Sequence, residues 1–209
     1  MVANLSITKP TILLQLSGGL DSLGCLFLLL TAPEYSKYDI LVHHTKLINK
    51  ENRAVAESLA IDAILAWFKA NPEYREFTYA ESTFECPSVN GSVPFDHDIS
   101  NMLAGLMCES APAIEFVAAG RTKSDTMNPR SPQVDAILVR TNRILSLFTG
   151  RSEGRVKIYP AIKLTKQEIW DLLPETLRIL AWSCRTPTYK KGVPVKCGTC
   201  VSCKNGLSK

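Results

Sequence analysis

Six residues, Ser17-Gly18-Gly19-Leu20-Asp21-Ser22, constrain what this chain can become more than any other stretch. They follow Thr11-Ile12-Leu13-Leu14-Gln15-Leu16, an apolar run of strand length. They precede Leu23-Gly24-Cys25-Leu26-Phe27-Leu28-Leu29-Leu30, apolar on every side as a helix buried within a domain is. The order predicts strand, tight turn, helix. Two adjacent glycines let the backbone bend sharply and approach a ligand with no Cβ in between. The helix that starts there offers unpaired N–H groups and the positive end of its dipole, which suits a phosphate. Ser17 and Ser22 can add hydroxyl donors. A plain serine–glycine turn capping a core helix is the simpler reading; Asp21, Ser22 and the strand–turn–helix context argue for the nucleotide. No Gly-Lys-Ser/Thr closes the loop, so it is not of the Walker type.

The remaining sequence predicts alternating strands and helices. Tyr38–His43 reads as a second strand. Lys50–Lys69 is a helix with Ile61, Ile64, Leu65 and Phe68 on one buried face, stopped by Asn71-Pro72. Phe77–Tyr79 is a third strand, and Glu81–Asp98, with its prolines and Asn90-Gly91, a loop. A helix from Asp98 or Ser100 to about Ser110 leads into a fourth strand, Ile114–Ala119. A polar loop over Arg121–Pro132, a helix over Asp135–Phe148 and a fifth strand over Arg155–Pro160 follow. Thr165, with Glu168 three residues on, caps a short helix to Leu173. This alternation argues for an α/β fold with a parallel sheet and right-handed crossovers. Ligands of such sheets sit at the carboxyl ends of the strands, near the point where strand order reverses. The glycine loop, His43-His44 and the segment after Gly120 should therefore share one cleft, with at most one of the two histidines facing it.

The chain has seven cysteines, an odd number, and four of them crowd into the last 26 residues as Cys184 and Cys197-Gly-Thr-Cys200-Val-Ser-Cys203. Four thiolates at this spacing suit one tetrahedral Zn²⁺ with no open position, a structural site that folds the tail. A redox Cys-x-x-Cys needs only two cysteines and normally opens a helix after a strand; four free thiols are the plainest alternative. Cys25, Cys86 and Cys108 are scattered and read as small apolar residues. The 209 residues suffice for one generous α/β domain, residues 1–180, with the zinc-binding tail, 181–209, packed on it. A net charge of +4 suits an anionic ligand without marking a nucleic-acid binder. No apolar run reaches the roughly 20 residues of a membrane span, and the start lacks a signal-peptide pattern, so the chain reads as cytoplasmic.

The Ser17–Ser22 loop resembles the pyrophosphate-binding loop of the ATP pyrophosphatases, which cleave ATP between the α- and β-phosphates. Together with Cys25-Leu26, Tyr159-Pro160-Ala161-Ile162-Lys163-Leu164-Thr165-Lys166-Gln167-Glu168-Ile169-Trp170, Trp182-Ser183-Cys184 and the Cys197/Cys200/Cys203 array, the chain resembles the 7-cyano-7-deazaguanine synthase family. The resemblance implies a Rossmann-like, adenine-nucleotide α-hydrolase-like domain that uses ATP, Mg²⁺ and one Zn²⁺, and a homodimer. It also implies conversion of 7-carboxy-7-deazaguanine and ammonia to the nitrile, through an acyl-adenylate and an amide activated by a second ATP. No direct nucleic-acid partner and no membrane are expected. On this reading Leu16, Ser17, Gly18, Gly19, Leu20, Asp21, Ser22 and His43 bind the nucleotide. Ser17, Asp21, Ser22 and Lys123 serve the chemistry, with Asp21 as candidate Mg²⁺ ligand. Arg121 and Asp125 meet the substrate, and Cys184, Cys197, Cys200 and Cys203 bind zinc.

The middle departs from the family. Val42-His43-His44-Thr45-Lys46-Leu47 stands where Phe-Asp-Tyr-Gly-Gln is usual, Asp98-Ile99-Ser100-Asn101 replaces a Gly-Arg-Asn helix start, and the Asp-x-x-Gly-Tyr-x-Asp segment is reduced to Lys123–Met127. Two further readings stay open within the superfamily: a relative that stops at an amide or passes the acyl group to another amine, and a tRNA-thiolation enzyme. A non-enzymatic, zinc-stabilised nucleotide-binding module is the reading outside it.

Overall fold

The computed structural model describes residues 6–85, 87–88, 95–127, 132–149 and 156–205. Strand β1 (Thr11–Gln15) leads through the glycine turn into α1 (Leu20–Thr31). Then come β2 (Asp39–Ile48), α2 (Ala54–Ala70), β3 (Thr78–Glu85), α3 (Asp96–Ser110), β4 (Ile114–Ala119), α4 (Lys123–Met127), α5 (Pro132–Phe148), β5 (Val156–Ile158) and α6 (Lys166–Leu172). Helix α7 (Glu175–Arg178) precedes the tail, which holds a β6–β7 hairpin (Thr188–Lys190, Val193–Val195) and α8 (Val201–Asn205).

The main sheet is parallel throughout, in the order β3-β2-β1-β4-β5. The chain runs outward from β1 through β2 to β3, crosses back to β4 and continues to β5. Strand order therefore reverses between β1 and β4, and the loops after these two strands open a crevice there. One face of the sheet buries Ile12, Leu14, Ile40 and Val42 against α1, α2 (Ile61, Ile64, Phe68) and Ile169 of α6. The other face buries Leu13, Leu41 and Val117 against Ala104 and Cys108 of α3 and Leu145 of α5. The parallel α/β class and the alternation of elements agree with the sequence reading. No described helix is long and apolar enough to cross a membrane.

Several boundaries differ, each for a local reason. Strand β2 continues five residues past His43, and β3 runs to Glu85, into the expected loop. These extensions pair with each other, from His44↔Glu81 to Ile48↔Glu85. Their histidine, lysine and glutamate side chains hid the period-two pattern that a half-solvated ribbon carries. Helix α2 starts at Ala54 instead of Lys50 because Asn52 takes a left-handed turn, φ 53°. The polar loop after β4 contains the short α4. Helix α6 begins as expected: the Thr165 hydroxyl accepts from the Glu168 N–H while the Glu168 carboxylate accepts from the Thr165 N–H. Cys86 lies outside the described residues.

Candidate active site and metal centre

The glycine loop forms because three small residues satisfy one another. The Ser22 hydroxyl, 3 % exposed, accepts from the Ser17 N–H (3.2 Å), donates to the Gly19 carbonyl (3.1 Å) and lies 3.0 Å from Ser17 Oγ. Ser22 thus holds the turn in shape, while Ser17 stays the hydroxyl that borders the cleft more freely. Gly18 has φ +77°, which an L side chain resists. No side chain caps the start of α1 at Gly19, so the N–H groups of its first turn remain available to an anion. From the β4 side, Gly120 closes on the same turn: a Cβ there would stand 2.7 Å from Ser22 N and 2.9 Å from the Asp21 carbonyl carbon.

A cavity of about 640 Å³ opens over this loop at the carboxyl ends of the strands. Of the expected nucleotide residues, Leu16, Ser17, Gly19, Leu20, Asp21, Ser22 and His43 line it, whereas Gly18 turns its back toward α2. Both His43 and His44 border the cavity, against the expectation of at most one. Strand β1 ends at Gln15, opposite His43, so β2 stands exposed beyond that point and side chains of both faces reach the opening. His43 Nε2 shares a hydrogen bond with Ser82 Oγ (2.9 Å), and burial pushes its pKa down to about 4. His44 Nδ1 lies 3.0 Å from the Leu16 carbonyl, which fixes the ring proton on Nδ1; its pKa too is lowered, by burial. Both rings are neutral near pH 7.

Asp21 sits at the centre. Its Oδ2 takes the ammonium of Lys166 at 2.8 Å, and its Oδ1 is buried with no hydrogen-bond partner. Burial raises its pKa, and Lys166 partly offsets that. A carboxylate oxygen with no hydrogen-bond partner among the described residues could ligate a hard cation such as Mg²⁺, while the helix N–H groups suit the phosphates. The sequence reading did not place Lys166 in the site, although its position just after Thr165, at a helix start beyond the last sheet strand, was a usable signal. Asp125 lines the cavity near Asp21, but its Oδ2 already accepts from the N–H (2.9 Å) and hydroxyl (3.0 Å) of Thr122. Arg121 and Lys123 lie outside the lining. Arg121 stacks over Tyr159, 5.6 Å from the ring centre, and Lys123 is exposed, its backbone N–H donating to Leu164 (2.7 Å).

The far end of the cavity is charged and was not foreseen. Arg53 at the cap of α2, Glu57 of α2, Asp96 of α3 and Arg185 of the tail converge, with Arg53 contacts of 2.9 Å to Glu57 and 2.7 Å to Asp96. Arg185 reaches Asp96 at 3.2 Å. The signal for Glu57 was its place one turn before Ile61, a carboxylate in the apolar stripe of α2.

The tail forms the remaining wall. The Trp182 N–H donates to the Gly18 carbonyl (2.8 Å), and Trp182, Cys184, Arg185 and Ser202 all line the cavity. The sulfurs of Cys184, Cys197, Cys200 and Cys203 lie within 4.8 Å of one another, with Cys197 and Cys203 3.9 Å apart. Backbone N–H groups of Cys197, Cys200 and Cys203 donate to Cys184, Cys197 and Cys200 sulfur at 3.3, 3.3 and 3.4 Å. The Thr186 hydroxyl, at 3.2 Å, the Cys200 N–H and Thr199 lower the Cys197 thiol to about 5, whereas desolvation pushes Cys203 up to about 12. The four residues could hold a metal. A tetrahedral ion with metal–sulfur bonds of about 2.3 Å sets sulfur–sulfur distances of about 3.8 Å, close to this cluster. Cys25 is buried, its thiol pushed up to about 12, and is inert packing.

No family model and no curated protein matches the chain. Among solved structures it is similar to the U34-tRNA thiolase NcsA from Methanococcus maripaludis with its [4Fe-4S] cluster: TM-score 0.52, 17% identity, over 97% of this chain and 65% of that one. The fold is shared with that thiolase. The chain spans 65% of its length.

Proposed function

We propose that this protein is an ATP-dependent enzyme that adenylates a carboxylate on a deazaguanine base, converting 7-carboxy-7-deazaguanine and ammonia to 7-cyano-7-deazaguanine. The observation that carries the ATP chemistry is the Asp21–Lys166 pair at the uncapped start of α1, with Asp21 Oδ1 left open. Substrate and ATP meet over this loop. The first-turn N–H groups and the Ser17 hydroxyl hold the phosphates, and Lys166 swings from Asp21 to the charge that grows on the departing pyrophosphate. Mg²⁺ held by Asp21 would neutralise that charge further. Neutral His43 and His44 leave the cleft without extra positive charge on the β2 side.

The tail site is proposed as structural zinc. Its sulfurs stand at the span of thiolates around one ion, whereas a four-iron cluster spreads its thiolates over four separate corners. A small-molecule reaction needs no nucleic-acid partner, and the assembly proposed is a homodimer in the cytoplasm.

tRNA thiolation is the second reading, favoured by the shared fold with the thiolase. Among the described residues, the cysteines outside the tail, Cys25 and Cys108, are buried in the core, and neither lines the cavity. One incubation separates the readings: protein, Mg·ATP, 7-carboxy-7-deazaguanine and ammonium, followed by mass spectrometry of bases and nucleotides. The expected products are AMP and the nitrile. AMP with an amide places the protein on a shortened path, and an unchanged base without AMP removes the deazaguanine reaction.

A further inference from the structure

The charged end of the cavity holds two carboxylates, and they are not equivalent. Asp96 is saturated: its Oδ2 takes both Arg53 and Arg185, and its Oδ1 accepts the His97 N–H at 3.1 Å. Glu57 is not. Its Oε1 accepts from Arg53 Nη1 at 2.9 Å, and its Oε2 takes no hydrogen bond among the described residues. The residue is 8 % exposed and lines the cavity. Burial drives its carboxyl up to about 7, so keeping a carboxylate here costs the folded protein stability. An ion pair kept for folding alone is commonly replaced by apolar side chains without loss. The turn of α2 that carries Glu57 also leans on the glycine loop: its carbonyl oxygen lies 3.4 Å from where a Gly18 Cβ would stand. Glu57 and the glycine loop thus line one cavity from adjoining segments.

We propose that Glu57 determines base specificity, its Oε2 accepting a hydrogen bond from the 2-amino group of a guanine-type ring while Arg53 holds the carboxylate in place. With its carboxyl pushed up to about 7, Glu57 is an acceptor-only carboxylate above that pH, where its Oε2 rewards an N–H on that edge and leaves a ring without it unpaired. This inference rests on the deazaguanine reading above and names the residue that would recognise the base.

The test compares binding of 7-carboxy-7-deazaguanine with that of the matched 7-carboxy-7-deazahypoxanthine, which lacks only the 2-amino group. Intrinsic fluorescence, with Trp170 and Trp182 in the cavity wall, or calorimetry can follow both at a pH where Glu57 is ionised. Wild-type protein should prefer the guanine-type acid by at least about tenfold, the scale of one hydrogen bond to a charged group. Glu57→Gln should lose most of that preference and bind Mg·ATP within about twofold of wild type, which a collapsed fold would not do. Equal binding of the two acids by wild type overturns the proposal without needing any variant to fold. So does a Gln variant that still discriminates. If wild type binds Mg·ATP but neither acid, the substrate reading itself falls, and the assignment of Glu57 falls with it.

Discussion

At the scale of single residues, the site is held by positions where one added carbon is intolerable. Gly120 and Gly24 make a matched pair. An alanine at 120 would drive its Cβ into the backbone of the glycine turn, at Ser22 N and Asp21 C. An alanine at 24 would meet the Ile169 side chain of α6, with Cγ2 at 2.5 Å. Both overpack the interior, and each should cost about 1–3 kcal/mol of stability. Only Gly120→Ala should also weaken Mg·ATP binding, since it displaces the phosphate cradle. Melting curves and titration calorimetry on the two variants check this, and equal nucleotide affinities would show that Gly120 does not shape the cradle. The residue scale is also where the sequence was least complete. The Ser17–Ser22 loop and the four tail cysteines announce themselves because their spacing is unusual. Lys166 and Arg185 do not, because their partners, Asp21 of α1 and Asp96 of α3, lie far away in sequence; Glu57 carries only the weak signal of a carboxylate in an apolar stripe.

At the scale of elements, the decisive join is between α1 and the tail. Five strands, their order of appearance and most of the helices were legible from period-two and period-3.6 patterns and from the Thr165–Glu168 cap. The β2–β3 extension was not, because its alternation is written in polar residues. The hairpin between Cys184 and Cys197 was not either, as its strands are three residues each. The tail is tied to the glycine loop through Trp182, so metal removal should reach the nucleotide. Strong chelation, or Cys200→Ser, should release the metal, change Trp182 fluorescence, open residues 183–205 to proteolysis and weaken Mg·ATP binding by about tenfold or more. Loss of metal with unchanged nucleotide affinity would show that the tail covers the cavity without supporting it.

At the scale of the whole molecule, buried titratable groups set an acid limit. Burial lowers the pKa of His43, to about 4, and of His44 and His97. The unfolded chain takes up these protons near pH 6.5 while the folded chain refuses them, so stability falls as pH drops from about 6.5 toward 4. Glu57 and Asp21, whose pKa values are raised, act in the opposite sense, and protonation of tail thiolates acts in the same sense as the histidines. With the opposing carboxyl removed in Glu57→Gln, the urea midpoint should be lower at pH 5 than at pH 7.5; a flat profile in that variant would mean that the histidines take up protons without unfolding.

The hydrogen bond from Trp182 to Gly18 joins residues far apart in the order in which a chain is made. During synthesis the glycine turn emerges early, and its α1 and first strands can assemble long before the wall that closes the cavity. That wall waits until translation has passed Cys203. Until then the glycine turn stands without a complete chamber around it.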